Sequence, residues 1–179
     1  MAKEFPEIDL GSLSDGVDTG VTPAMGKMMA EAASVVLEHN NHASGVVILV
    51  HGAAPKHFRL RWPELHPFAR FAHKDLPEAA HYGAYGVAIL LVKGVSQFKV
   101  VERSFKRTGC DFWLGTGDHF PFQKAAKLEV SGIINDSPRL QARLYAKIEQ
   151  TKRFRRRLPA CVVIVEFGMP QAIFKRSGE

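Results

Sequence analysis

Apolar and polar residues follow two rhythms along this chain. In "VTPAMGKMMAEAASVVLEHN", Met25, Met28, Ala32, Val35 and Val36 recur at helical spacing, with Glu31 one step beside the stripe. Thr22 is a helix-capping type and Pro23 suits the first helical position, so a helix is predicted from there to the polar "HNNHASG". "VVILVHG" at 46–52 is a short β-branched run and predicts a buried strand; "HFRLRW" alternates and predicts its partner. "LHPFARFAHKDLP" has no period. "PEAAHYGAYGVAILLVKG" is apolar on every side and predicts a buried helix from Pro77 to about Leu91, with Gly83 and Gly86 allowing close packing.

The second half is strand-rich. "QFKVVERS", "CDFWLGT" and "AKLEVSGI" predict three successive strands, with "FKRTG" and "GDHFPFQKA" as connections. Ser137 and Pro138 start a helix with Leu140, Leu144 and Ile148 on one face. "CVVIVEF" at 161–167 is a final apolar strand, and "MPQAIFKR" extends it or pairs with it. The expected fold is α/β: a single domain, residues 22–179, with a central mixed β-sheet flanked by helices. Residues 1–21, rich in Asp, Gly and Ser, are expected to be an irregular arm.

Composition narrows the class. The chain has 179 residues, enough for one domain with a real core. Its net charge of +6 favours a polyanionic partner, because phosphate contacts supply much of nucleic-acid affinity. The two cysteines, Cys110 and Cys161, sit in apolar runs and form neither a disulfide framework nor a CxxC zinc site. No apolar run reaches the roughly 18 residues of a membrane span, and the N-terminus lacks the apolar core of a signal peptide. A cytoplasmic protein with no membrane partner is expected.

The candidate chemistry lies in "GCDFWLG" and "KLEVSG". Asp111 opens one predicted strand and Glu129 lies within the next. Two carboxylates on neighbouring strands are a donor set for Mg²⁺ or Mn²⁺, hard cations that prefer oxygen. The backbone carbonyl of Val130 adds a third oxygen. A metal held there activates water and offsets charge building on a phosphate.

These residues resemble the core of the PD-(D/E)xK, or restriction-endonuclease-like, nucleases. In that family an aspartate at a strand start is followed by an acid-x-lysine on the next strand. A glutamate of the first helix often assists. The resemblance implies catalytic and metal-binding roles for Asp111 and Glu129, an assisting metal ligand in Glu31, and a DNA-cleaving enzyme of prokaryotic defence or DNA processing. "QARLY" looks like the Gln-x-x-x-Tyr helix of RecB-type members, which implies that Gln141 and Tyr145 contact nucleic acid. The resemblance spans about residues 22–168, with 53–96 as an insertion or elaboration.

The family's lysine position holds Ser131. Lys127, two residues before Glu129, shares its strand face and is the expected substitute; Lys124 and Lys106 are weaker candidates. The basic run "KRFRRR", with Arg153, Arg155, Arg156 and Arg157, is expected to track phosphates. Asp118 and His119 lie between the two carboxylate strands and are minor candidates. Plainer readings stand beside these: Asp111 as a turn residue, Glu129 on a solvent face, Glu31 on a solvated helix edge, Lys127 at a strand surface. The alternative function is a non-catalytic nucleic-acid-binding or assembly subunit on the same fold. A homodimer or larger complex is an open possibility for gripping a duplex.

Overall fold

Strand pairing in this chain ignores sequence order. The computed structural model describes residues 4–16, 20–117, 123–152 and 158–177. Its strands are β1 (Glu7–Asp9), β2 (Val46–His51), β3 (Lys56–Arg61), β4 (Lys99–Arg103), β5 (Phe112–Gly115), β6 (Ala126–Ile133), β7 (Ala160–Glu166) and β8 (Gln171–Ser177). They form one mixed sheet in the order β1-β3-β2-β8-β7-β6-β5-β4. The helices are α1 (Pro23–His39), the short α2 (Ala69–Ala72), α3 (Leu76–Val95) and α4 (Leu140–Lys152). The predicted class, one α/β domain with a mixed sheet between helices, is therefore what the chain adopts. No helix among the described residues is long and apolar enough to cross a membrane.

The local signals act as predicted. Thr22 Oγ1 accepts a hydrogen bond from Met25 N at 3.4 Å, and Pro23 is in the first turn of α1. α3 starts at Asp75, whose carboxylate accepts from Glu78 N at 3.1 Å, and runs four residues past the expected end. It is apolar on all sides because it lies between α1 and the sheet. Glycines allow this. A Cβ on Gly83 would stand 2.7 Å from Ala33 Cα in α1. A Cβ on Gly132 in β6 would stand 2.1 Å from the Ala80 carbonyl oxygen of α3.

The N-terminal arm is more ordered than expected. Within the arm at 1–21, β1 pairs parallel with β3, and a 3-10 helix (Leu10–Asp15) buries Leu10 and Leu13 completely. A three-residue strand carries too few positions to show alternation, and a 3-10 turn lacks the 3.6 period. Residues 53–96 lie in the body of the domain: β3 sits between β1 and β2, and α3 packs on α1 and β6. α2 interrupts the segment expected to be irregular.

Alternation divides the central strands between two layers. Ala126, Leu128 and Val130 of β6 join the core under α1 and α3, as do Cys161, Val163 and Val165 of β7. Val162 and Ile164 face the other way, into a smaller cluster with Leu140 and Leu144 of α4. Lys127, Glu129 and Ser131 therefore belong to the α4 side. Replacing Gly132 by Ala forces α3 away from β6. We expect a loss on the order of 3 kcal/mol in urea unfolding; a change no larger than that of an ordinary surface substitution, about 0.5 kcal/mol, would show the contact to be soft.

Candidate active site

Asp111 ends the turn that follows β4. Arg107 and Gly109 take positive φ of 75° and 73° there, which brings the chain back beside β4. The Asp111 backbone N–H donates to the Leu128 carbonyl at 2.8 Å, extending the β5–β6 ladder by one residue. Its carboxylate is held on both oxygens. Oδ1 accepts from the Tyr85 hydroxyl of α3 at 2.7 Å, and Oδ2 accepts from the Val130 N–H at 2.8 Å. Asp111 is thus more than a turn residue: it ties β5, β6 and α3 together.

Tyr85 is buried, edge-on to Phe112 at 5.0 Å between ring centroids, with His81 at 4.4 Å. The Arg103 guanidinium lies 4.9 Å from the Tyr85 ring centroid. Burial and then the Asp111 charge push the Tyr85 phenol far above its ordinary range, so it stays protonated and donates.

Glu129 does not face solvent. Its side chain is 1% exposed, beneath α4. Oε1 accepts from Lys147 Nζ at 2.5 Å and from Gln150 Nε2 at 2.8 Å, both from α4. Oε2 has no hydrogen-bond partner among the described residues. Burial first, and the Asp111 charge second, push the Glu129 carboxyl up to about 7, against the pull of Lys147. The half-exposed Asp111 thus acts on the sealed Glu129 across the β5–β6 ladder.

The other predicted residues are distributed as follows. Lys127 lies on the Glu129 face, as alternation requires, but it is buried and its Nζ donates to the Thr151 carbonyl at 3.1 Å, in the last turn of α4. The lysine on Glu129 is Lys147, which sequence reasoning missed. Its signal was present: Leu140, Leu144 and Ile148 mark the buried stripe, and Lys147 flanks it. Lys124 pairs with Glu102 at 2.7 Å. Ser131, in the motif's lysine position, is buried beside the same layer. Glu31 is half-buried and its Oε1 lies 3.1 Å from His73 Nε2, so its partner belongs to the loop after α2 and not to the carboxylate pair. Gln141 and Tyr145 are exposed on the outer side of α4, Tyr145 by 63%. Arg153, Arg155, Arg156 and Arg157, like Asp118 and His119, lie outside the described residues.

Among the described residues no group of three or more His, Cys, Asp or Glu side chains is placed to share a metal. The donor set here is two carboxylates. The unbonded Glu129 Oε2 and the Asp111 charge acting on Glu129 fit a small divalent cation, which would offset the repulsion between the two acids.

Comparison with known proteins adds no relative. No family model matches the chain, and neither a curated protein nor a solved structure matches it significantly.

The raised Glu129 carboxyl has a stability consequence. A carboxyl that binds its proton more tightly when folded contributes most below its ordinary value of 4.5, and this contribution is lost as pH rises through about 7. Glu129→Gln keeps the shape and removes the titration. The melting temperature of wild type relative to Glu129→Gln should therefore fall between pH 5 and pH 8 (about the window those values set). A difference that stays flat across that range contradicts the raised carboxyl.

Proposed function

We propose that the chain is a metal-dependent nuclease that hydrolyses phosphodiester bonds, with DNA as the first expected substrate and prokaryotic defence or DNA processing as its setting. The observation that carries this reading is the Asp111–Glu129 pair: two acids on adjacent strands, one with an unbonded buried oxygen. Asp111 and Glu129, with the Val130 carbonyl, would hold Mg²⁺ or Mn²⁺; such an ion, when bound, acidifies water and offsets charge on phosphate. Glu31 is left out of this set because its carboxylate is engaged by His73.

The chain's own groups supply position and charge. The Tyr85 hydroxyl and the Val130 N–H fix the Asp111 carboxylate. Lys147 places a positive charge in the layer where the motif lysine would stand, and Gln150 fixes the Glu129 carboxylate with it. Lys147 therefore takes the role first expected of Lys127.

One observation favours a second reading, a non-catalytic nucleic-acid-binding or assembly subunit. Ser131 replaces the motif lysine, and Lys147 lies directly on a Glu129 that is 1% exposed. An ion pair closed in this way also fits a site that has become structural.

The two readings separate in a cleavage assay on plasmid, linear duplex, single-stranded DNA and RNA with Mg²⁺ or Mn²⁺. We expect metal-dependent cutting by wild type. Asp111→Asn, Glu129→Gln and Lys147→Met should each lower it by about a hundredfold or more, with the fold of each variant checked by circular dichroism. Cutting that survives in both Asp111→Asn and Glu129→Gln removes the site from consideration. Absence of cutting on every substrate favours the binding subunit.

A further inference from the structure

β6 is longer than the strand beside it. The outermost register pair of β5 is Phe112 with Leu128, and Asp111 takes the Val130 N–H, so among the described residues β6 continues through Ile133 with β7 on one side only. α3 and α4 cover opposite faces of the sheet. At this open edge their side chains meet across a cleft of about 460 Å³. Pro77, Ala80 and His81 of α3 form one wall, and Ser131 and Gly132 lie at its base. The other wall carries Arg139, Arg143 and Lys147.

Those three cations are four residues apart, so they follow one stripe along α4 and the turn before it. The stripe lies next to Leu140, Leu144 and Ile148, which anchor the helix to the sheet. Arg139 is 78% exposed and pairs with Asp136 at 2.9 Å. Arg143 is exposed and has no ion pair among the described residues. Lys147 closes the row and touches Glu129. The cations thus run along the cleft to the lysine that holds the buried Glu129.

The shape of the cleft indicates which polyanion fits. Four helical residues rise about 6 Å, a spacing that suits successive phosphates of one strand, so the row can follow a backbone but does not itself distinguish a single strand from a duplex. A cleft of this volume is the size of a small-ligand pocket, roughly 300–1,000 Å³; a duplex instead spreads over ~1,000 Å² or more of open surface. His81, exposed on the facing wall, presents a ring of a type on which an unstacked base packs.

We propose that this cleft binds a single nucleic-acid strand, with successive phosphates held by Arg139, Arg143 and Lys147. The proposal rests on the nucleic-acid reading of the site but not on cleavage.

The test is fluorescence anisotropy in EDTA, using labelled oligo-dT, oligo-rU and a blunt duplex. The proteins are wild type, Arg139→Gln/Arg143→Gln, and Lys56→Gln/Lys175→Gln as an equal loss of charge elsewhere. We expect wild type to bind a single strand, DNA or RNA, about tenfold more tightly than duplex. The cleft variant should lose about tenfold in that affinity, and its salt slope should shrink by about 1.4, two phosphate contacts at ~0.7 each. The control variant should change far less. Equal binding of duplex and single strands, equal weakening of both variants, or no single-strand binding by wild type would overturn the proposal. Single-strand binding as expected without cleavage in Mg²⁺ or Mn²⁺ supports the cleft and overturns the nuclease reading alone.

Discussion

A carboxylate buried in the middle of a sheet requires compensation, and the α4 layer is arranged around that need. Glu129 is 1% exposed, and an isolated charge there would be far more costly than any single apolar contact could offset. Lys147 and Gln150 reach it from successive turns of α4. Breaking such a buried pair by removing one partner typically costs about 3–5 kcal/mol. The pair therefore sets the rotation of α4 as firmly as Leu140 and Leu144 set its depth. Lys127 reinforces the same helix at its other end through the Thr151 carbonyl. Two lysines thus flank one acid, one as its partner and one as a cap for the helix that supplies the partner.

The opposite face answers to a steric constraint. α3 comes so close to β6 that only glycine fits at position 132, and α1 comes so close to α3 that Gly83 is needed as well. This approach puts Tyr85 within hydrogen-bonding distance of Asp111. Asp111 also binds the Val130 N–H at the point where β5 stops. A single side chain thereby ends one strand, steadies its neighbour and connects to the helix above. The acid pair and the cleft both arise from that strand ending: beyond it, β6 has an open edge between two helices.

This arrangement connects the proposed chemistry to ordinary folding forces. Glu129 is tuned by burial and by its neighbour, not by an unusual backbone. Asp111 is held by four hydrogen bonds, to Ser104, Leu128, Val130 and Tyr85, that also join the sheet to α3. The proposed cation would reach Glu129 through Oε2, the oxygen that Lys147 and Gln150 leave open.

Most of the elements were legible in the sequence, because alternation and helical stripes report which side of each segment is buried. The helix cap at Thr22, the glycines of α3, the strand pair around 46–61 and the run from β4 to β8 all follow from short-range patterns. Asp111 and Glu129 were legible as acids on neighbouring strands for the same reason. The sheet order was not, since β8 inserts between β2 and β7 and no local pattern encodes a partner so distant in sequence. The lysine was not legible either. Alternation points to Lys127, and Lys147 was not among the candidates; which ammonium meets Glu129 depends on the angle at which α4 crosses β6. Gln141 and Tyr145 share a helix face, but that face is turned outward because the leucine stripe claims the inward one. Sequence by itself determined the elements and the acids, whose causes are local; the partner of each acid and the open edge beside them were decided by the tertiary structure, because both depend on how far one strand outruns another and how two helices close over the difference.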